Sequence, residues 1–255
     1  MSIKLSAVAL GITLAFGATA AMSVNNAAIT QNGNWNDSTI QQVGNTDAYA
    51  SITSRGDGND NVVVQQNTTA TRAVIETNWG NSNDNTVLQN NVVNSTASVY
   101  QVADSSTTVI NQGGTSVTTP GHWVYKGRDK TYVPGTTTVT DGRDQHAHIA
   151  QNSGSNHDAY IGQTGTYVRA TVYQSGYGND AVITQAGSGS VWSDAVITQS
   201  GYGNDATINQ AGGGLNANIY QAGYRNSAVV TQAGMYQTAS VSQTGSHNNA
   251  NISQR

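Results

Sequence analysis

Residues 204–212 read Asn-Asp-Ala-Thr-Ile-Asn-Gln-Ala-Gly, and variants of this pattern recur every 11 or 12 residues through most of the chain. Alternate positions carry Asn, Ala, Ile or Val, Gln and Gly. Because successive side chains of a β-strand point to opposite faces, these residues share one face. The Gly-x-x-Asn junction supplies residues that tolerate positive φ, as a tight reversal requires. Each unit is therefore predicted to be a short strand followed by a turn.

The glutamine position marks the register of 18 units, with Ser54 and Thr77 in its place in two of them, and two positions before it every unit carries Ile or Val. One unit takes its marker at Thr77 rather than Glu76, because the alternative would turn Arg72 and Glu76 inward and bury unpaired charge. Two strands and two turns make a coil of 22–24 residues, and coils stacked in register build a β-solenoid. The prediction is an all-β solenoid of about nine two-strand coils, roughly 40 Å long at about 4.8 Å per coil.

Two sets of inward side chains are predicted to hold the coils together. The core rows comprise Ile29, Ile40, Ile149, Ile161, Val172, Ile183, Ile197, Ile208, Ile219, Val230, Val241 and Ile252. The inward amide ladder comprises Gln31, Gln42, Gln65, Gln89, Gln101, Gln112, Gln151, Gln163, Gln174, Gln185, Gln199, Gln210, Gln221, Gln232, Gln243 and Gln254, with Asn179, Asn204, Asn226 and Asn248. The last unit, 248–255, is as regular as the others, and an uncapped solenoid end favours end-to-end polymerisation.

The composition excludes several classes of function. Only 9 % of the 255 residues are charged, and the formal net charge of −4 offers no basic footprint for nucleic acid. The chain lacks cysteine, Glu76 is its sole glutamate, and no phosphate loop or nucleophile elbow is present. We therefore predict no catalytic, cofactor or metal site, and no partner nucleic acid.

The N-terminus is predicted to be a secretory signal peptide over 1–21, because a basic start, a twelve-residue apolar run and a small-residue processing site follow one another. The apolar run is too short to span a membrane, so we expect no membrane insertion. Repeats are then predicted over 22–114 and 144–255.

Residues 115–143 break the period and contain both prolines. Two strand-like segments, 122–126 and 130–133, flank a turn-prone centre and predict a hairpin. One interpretation is a protruding cationic and aromatic contact site for matrix polysaccharide, an anionic surface or a partner chain; the other is a surface insertion without a ligand. The residues of the contact-site interpretation are Trp123, Tyr125, Lys126, Arg128, Lys130 and Tyr132.

Three smaller motifs each have a second interpretation that involves no binding site. His146 and His148, with Asp144 nearby, have a spacing that suits zinc or copper, but only three ligands can be named and a solvated face is favoured. The segment 56–60 resembles one copy of a calcium nonapeptide, although that class repeats every nine residues, and its aspartates are interpreted as charges that restrain lateral aggregation. The tripeptide at 55–57 matches a cell-adhesion motif that is short enough to occur by chance.

The repeat resembles that of the curlin family, the subunits of curli, which are extracellular bacterial amyloid fibres of biofilm matrix. Residues 179–187, Asn-Asp-Ala-Val-Ile-Thr-Gln-Ala-Gly, match the family repeat position by position. The resemblance is strong over 145–255 and fair over 25–114. It departs in having repeats from Asn25 onward, where curli major subunits carry a Gly/Asn-rich export segment, and in the ending Ser-Gln-Arg, which looks more like the minor, nucleating subunit.

The resemblance implies a secreted structural subunit that forms a homopolymer at the surface of a bacterium with an outer membrane. It implies as partners an outer-membrane export apparatus and a curli-type nucleator or major subunit. The alternative function is a non-polymerising solenoid, such as a surface adhesin or a ligand-binding or ice-binding rod. An enzyme acting on polysaccharide ranks below both, because the aspartates lie at scattered reversals rather than clustered in a groove.

Overall fold

The repeat units form strands that wind into a parallel β-solenoid. The computed structural model describes residues 24–119, 122–126, 129–133, 136–140 and 142–255, of which 115–140 are described by backbone alone. About 75 % of the chain is strand, and the described residues contain no helix. The predicted signal peptide, 1–21, lies outside the described residues.

Two parallel sheets face each other across the interior, and each coil contributes one strand to each sheet. Sheet A contains β1 (Asn26–Asn32), β3 (Tyr49–Arg55), β5 (Arg72–Thr77), β7 (Val92–Val93), β8 (Thr96–Gln101), β14 (Gly142–Ser155), the second half of β15 (Asp158–Tyr177), β17 (Ser193–Tyr202), β19 (Asn216–Tyr224) and β21 (Thr238–Ser246). Sheet B contains β2 (Asp37–Val43), β4 (Asp60–Gln66), β6 (Asp84–Asn90), β9 (Thr107–Gly113), the first half of β15, β16 (Asp180–Gly187), β18 (Asp205–Gly213), β20 (Ser227–Met235) and β22 (Asn249–Gln254). These strands make nine coils, which confirms the predicted fold.

The register follows the repeat as the sequence analysis expected. In sheet A, Ser54 pairs with Thr77 and Thr77 with Gln101, so the marker at Thr77 is the right one. Arg72 is exposed and Glu76 points to the outer face, whereas Thr77 is fully buried. Stacking in register is therefore maintained even where the glutamine is absent.

The insertion interrupts the connection from β9 to β14 without disturbing the stack. Strand β14 pairs with β8, and the first half of β15 pairs with β9, although the whole insertion lies between the partners in sequence. Within the insertion, β10 (Thr115–Thr119) pairs antiparallel with β13 (Thr136–Thr140), and β11 (His122–Lys126) pairs antiparallel with β12 (Asp129–Val133). The backbone therefore forms the hairpin-like interruption that the sequence predicted.

Turns between the sheets use the left-handed backbone region repeatedly. Gly201 has φ +110°, and a Cβ atom placed on it would lie 2.1 Å from the Gly223 carbonyl oxygen of the next coil. Gly203, two residues later, has φ +64°, and a Cβ atom there would meet only Arg225 Cγ, at 3.4 Å. The first glycine is thus required by the close approach of two coils, whereas the second is only favoured by its backbone angle.

Candidate functional site

The interior of the solenoid holds a continuous column of nine stacked glutamines in sheet B. In each step the Nε2 atom of one glutamine donates to the Oε1 atom of the glutamine one coil later, over 2.7–2.9 Å. Its members are Gln42, Gln65, Gln89, Gln112, Gln163, Gln185, Gln210, Gln232 and Gln254. All eight bonds point the same way along the rod, so the column has a polarity.

Sheet A carries a second, shorter glutamine column. It contains Gln101, Gln151, Gln174, Gln199, Gln221 and Gln243, joined by bonds of 2.8–3.0 Å with the same direction. The column starts at Gln101 because Thr77 occupies the place one coil earlier, and the buried Gln101 Oε1 atom has no hydrogen-bond donor. Gln31 belongs to this register but is not joined to a second glutamine, since its neighbour is Ser54, and its Nε2 donates instead to Ser38.

Each glutamine also ties the two sheets together. Gln185 Nε2 donates to the Arg169 and Ser193 carbonyl oxygens at 3.0 and 3.1 Å, in addition to Gln210 Oε1 at 2.8 Å. A buried amide with every polar atom bonded rigidifies its surroundings, whereas an unsatisfied one is costly. The columns therefore supply stability that the thin apolar core does not provide alone.

In the coil of Thr77, which lacks a sheet A glutamine, amides come from the opposite sheet. Asn61 and Asn85 stand in sheet B positions where the next coil has Thr108 and the coil after it has Ala159. Asn85 Nδ2 donates to Asn61 Oδ1 at 2.9 Å and to Thr77 Oγ1 at 3.2 Å. In this coil the interior amide therefore comes from sheet B instead of sheet A, and the small side chain of Thr77 leaves room for it. The compensation is incomplete, because Ser54 Oγ and Asn61 Nδ2 are buried without a hydrogen-bond partner among the described residues.

Asparagines in the turns after sheet A form a third ladder. Asn204, Asn226 and Asn248 each donate from Nδ2 to the Oδ1 atom of the asparagine one coil earlier, over 3.0–3.1 Å, beginning at Asn179. This direction is opposite to that of the glutamines. A similar ladder in the first half joins Asn36, Asn59 and Asn83 at 3.0 and 3.1 Å. It was not predicted from the sequence, although the Asn-Asp pairs at 36–37, 59–60 and 83–84 indicate it.

His157 replaces an asparagine in this ladder. Its side chain is fully buried, and its Nδ1 accepts a hydrogen bond from the Asn179 backbone N–H at 3.3 Å. The proton must therefore sit on Nε2, which lies 3.1 Å from the Ser153 carbonyl oxygen and donates to it. Burial lowers the pKa of His157 below 6.5, against smaller opposing effects of backbone hydrogen bonds and Asp158. The site holds a neutral imidazole.

Aspartates form an acidic column on the outer face of sheet B. The stacked residues are Asp37, Asp60 and Asp84 in one group, and Asp158, Asp180 and Asp205 in the other. Partial burial is the main cause that raises the pKa of Asp60 and Asp180 above 3.8, and the two stacked neighbours of each add to it. Like charges at coil spacing therefore oppose stacking at neutral pH.

The apolar rows lie between the two sheets. Of the predicted core residues, Ile149, Ile161, Val172, Ile183, Ile197, Ile208, Ile219 and Val230 are fully buried, Ile40 and Val241 retain 6 % exposure, and Ile29 and Ile252 are only partly buried. The row also includes Ile52, Val63, Ile75, Val87, Val99 and Ile110 of the first half. Burial is thus incomplete only toward the two ends of the described stack.

The two outward histidines of β14 each contact the coil before them. His146 Nδ1 lies 2.7 Å from Thr96 Oγ1, and its ring stacks on Trp192 with centroids 5.3 Å apart. His148 Nδ1 lies 2.8 Å from Ser98 Oγ. The part of the chain that the structure describes contains no group of three or more His, Cys, Asp or Glu residues placed to hold a metal ion.

The remaining motifs sit in turns or in the insertion. Asp57, which belongs to both the calcium-like segment and the adhesion-like tripeptide, accepts hydrogen bonds from the Asn34 backbone and side chain at 2.6 and 3.1 Å. Of the contact-site residues, Arg128 lies outside the described residues, and the side chains of Trp123, Tyr125, Lys126, Lys130 and Tyr132 do so as well.

Nine coils with amide columns and apolar rows in their interior define the chain as a β-solenoid. The curlin-associated repeat matches the chain four times, at 169–190, 193–223, 215–245 and 223–255. Residues 169–255 therefore carry curlin-associated repeats. This family consists of structural fibre subunits rather than enzymes. No curated protein matches the chain.

Among the described residues, no helix has the length and apolar character needed to cross a membrane.

Proposed function

We propose that the chain is a structural subunit that self-assembles into extracellular curli-like amyloid fibres, which serve biofilm matrix and surface adhesion. The observation that carries this proposal is the polarity of the interior ladders. At one end of the described stack the last glutamines, Gln243 and Gln254, each have an unused donor, and at the other end the first glutamines, Gln31 and Gln42, each have an unused acceptor. A second copy added head to tail joins them without any change of shape.

The glutamine columns supply two bonds at such a junction. Gln254 Nε2 donates only to the Thr238 carbonyl oxygen, and Gln243 Nε2 only to that of Ser227, so each amide has one N–H to spare within the described chain. At the opposite end, the described residues provide no donor to Gln42 Oε1 or Gln31 Oε1. Placing β1 of a second copy on β21, and β2 on β22, brings each donor to an acceptor in the existing register.

The asparagine ladder runs the other way and is complementary as well. Asn248 Oδ1 receives no bond within the described chain, while every earlier asparagine oxygen in the second half accepts from the next coil. Asn36 of the added copy occupies the next position of that column. Exposed strand edges with unpaired backbone groups template the addition of another chain, so backbone and side chains favour the same junction.

The family and the signal-like N-terminus support the cellular part of the proposal. The chain is exported across the outer membrane of a bacterium through a dedicated apparatus and assembles at the cell surface with a curli-type nucleator or major subunit. Its organisation is a signal peptide over 1–21, repeats over 22–114 and 144–255, and the insertion between them.

The experiment releases residues 22–255 from denaturant and records fibre diffraction on the sedimented material. Unbranched fibrils are expected, with one reflection at about 4.7 Å and another at about 10 Å. Two variants of β22 sharpen the test: Ile252→Asp places a charge on the partly buried inner face, whereas Asn251→Asp places it on the exposed outer face. We expect the first to reduce polymer formation severely and the second to polymerise.

A clear supernatant of stable β-rich monomer would overturn the fibre proposal and favour a surface adhesin or ligand-binding rod. Equal polymerisation of the two β22 variants would overturn the head-to-tail junction.

The role of the insertion is a separate proposal, namely that 115–143 forms a contact site for matrix polysaccharide. Gly114 and Gly142 donate backbone hydrogen bonds to the adjacent Asn90 and Asn91 carbonyls, so 115–141 can be removed with little rearrangement of the stack. We expect the deletion variant to polymerise and to lose binding to matrix glycans. Unchanged glycan binding would eliminate the contact site.

A further inference from the structure

Trp35 is the most conspicuous side chain at the β1–β2 end of the solenoid. It lies in the turn between those strands, is 92 % exposed, and adopts φ +61°. A bulky residue in the left-handed region costs free energy that glycine would avoid. Among the described residues, Trp35 stacks on no aromatic or cationic side chain. Folding of a single copy therefore gives no reason for a tryptophan here.

The position belongs to a column of equivalent turn residues. In every later coil the equivalent residue has left-handed φ. Its backbone N–H donates to a carbonyl oxygen one coil earlier, that of the residue just before the equivalent turn position. The series is Gly58 to Asn34, Ser82 to Asp57, Ser105 to Asn81, Asn156 to Asp104, Gly178 to Ser155, Gly203 to Tyr177, Arg225 to Tyr202 and His247 to Tyr224. Trp35 heads the column, and its N–H is not used in this series.

The opposite end of the column offers the matching groups. His247 is the last residue of the column, and the carbonyl oxygen of Ser246, which precedes it, is the next acceptor in the series. One further coil would place the N–H of its turn residue on that oxygen and its side chain over His247. In a head-to-tail junction, that residue is Trp35 of the added copy.

We propose that Trp35 of one copy stacks on His247 of the next and so fixes the junction between subunits. This inference rests on the proposed function, because it requires two copies joined head to tail. It assigns the most exposed aromatic side chain of one end to a particular partner at the other. The ligand of this surface is therefore a second copy of the chain.

The turns at that end already bring rings together at coil spacing. Tyr202 and Tyr224, each one position before a residue of the column, are parallel with centroids 5.2 Å apart, and the tilted ring of His247 lies 5.4 Å from Tyr224. The Arg225 guanidinium covers the Tyr224 ring at 4.9 Å. Trp35 would extend this group by one ring at a separation of about 5 Å, given coils about 4.8 Å apart. Its indole would thereby gain a partner and lose most of its exposure.

Trp79 provides a matched control within the same chain. It is also a turn tryptophan, with φ +62° and 73 % exposure, but it lies in the third coil, with two coils between it and the β1–β2 end of the stack. A junction contact should protect Trp35 and leave Trp79 unchanged. A general effect of fibre formation, such as lateral clustering, would protect both.

The test uses two single-tryptophan forms of residues 22–255, in which the other three tryptophans are replaced by Phe. Acrylamide quenching of fluorescence is measured for freshly released monomer and for washed fibrils. We expect the quenching constant of Trp35 to fall about threefold or more on polymerisation, while that of Trp79 changes little. His247→Ala in the Trp35 form should keep Trp35 accessible in the fibrils.

Seeded elongation gives a second readout. Both Trp35→Ala and His247→Ala should slow elongation by about two- to thirteenfold, the factor that corresponds to about 0.5–1.5 kcal/mol for an aromatic pair. The double variant should be no slower than either single variant, and Trp79→Ala should elongate normally.

The outcomes separate the two proposals. If no variant or parent forms fibrils, the proposed function fails and the inference fails with it. If fibrils form and Trp35 remains as accessible as Trp79, the proposed function stands and the Trp35–His247 contact is wrong. Additive slowing in the double variant would also overturn the contact.

Discussion

Replacing Gln185 by glutamate tests whether the interior amide column has the direction described. Gln185 is buried, receives a bond from Gln163 at 2.9 Å and donates to Gln210 at 2.8 Å. A carboxylate has the same shape and can still accept from Gln163. It has no proton to donate, so its second oxygen would face Gln210 Oε1 and two backbone carbonyl oxygens.

The expected penalty is several kcal/mol. Gln210 Oε1 loses its donor, and a buried acceptor without a partner costs about 1–3 kcal/mol. An ionised carboxylate that is buried without a counter-charge adds several kcal/mol more. The sum is comparable with the whole free energy of unfolding of a typical domain, about 5–15 kcal/mol. At pH 7.5 we therefore expect Gln185→Glu to abolish ordered coils around the substitution.

Acid should rescue this variant. Burial raises the pKa of the introduced glutamate above its ordinary value of about 4.3, so the folded state binds the proton more tightly than the unfolded state. The penalty is therefore present above the raised pKa and is relieved as the pH falls through it. A protonated glutamate also regains an O–H that can donate to Gln210.

The assay is the guanidinium midpoint for loss of β-sheet circular dichroism, measured at pH 7.5 and pH 4 and expressed relative to the parent chain at the same pH. The matched control is Gln66→Glu, because Gln66 is exposed at the end of β4. We expect the control to match the parent at both values. A Gln185→Glu variant with the parental midpoint at pH 7.5 would refute the buried ladder.

Three further predictions concern charge and backbone. Asp180→Asn should raise the free energy of unfolding at neutral pH, and the difference from the parent should vanish as the pH falls through the raised pKa of Asp180. Denaturation curves from pH 3 to 8 measure this difference, and a difference that does not change with pH would contradict the acidic column. The parent should lose stability as the pH falls below 6.5, because the lowered pKa of His157 makes the unfolded state bind the proton more tightly; His157→Asn should remove this loss, and an unchanged pH profile would exclude His157 as its source. Gly201→Ala should cost several kcal/mol, since its Cβ would lie 2.1 Å from a carbonyl oxygen of the next coil, whereas Gly203→Ala should cost about 1 kcal/mol for its backbone angle alone; equal costs would argue against the close packing of the turns.

The inward face could be predicted because its period of two is a local property of a strand. The spacing of units placed Ile208 and Gln210 on one face, and the cost of burying charge, together with the usual positions of Ala73 and Ile75, selected Thr77 over Glu76 as the marker. Nine coils followed from counting units, because stacking in register tolerates an insertion in a turn. The long sequence gap between β8 and β14 left their register intact.

Contacts between side chains of different strands could not be predicted from the local pattern. The exchange that removes the amide at Thr77 and supplies it from Asn61 and Asn85 depends on which side chains meet across the interior. The position of His157 in the asparagine ladder likewise depends on the alignment of coils after the insertion. The direction of each ladder is set by side-chain rotamers and backbone acceptors, which a repeat pattern does not encode.

Mass per unit length of the fibrils tests the central claim most directly. Residues 22–255, which form the fibrils, make up about 24 kDa of the 26.5 kDa sequence. A fibre of stacked solenoids contains one such chain per nine coils, which is about 6 kDa per nanometre for each filament at about 4.8 Å per coil. A fibre of flat, in-register strands contains one chain per layer of about 4.8 Å, or about 50 kDa per nanometre. Scanning transmission electron microscopy of unstained fibrils measures this quantity. The solenoid account predicts small multiples of about 6 kDa per nanometre, and about 50 kDa per nanometre for a single filament would contradict the solenoid subunit.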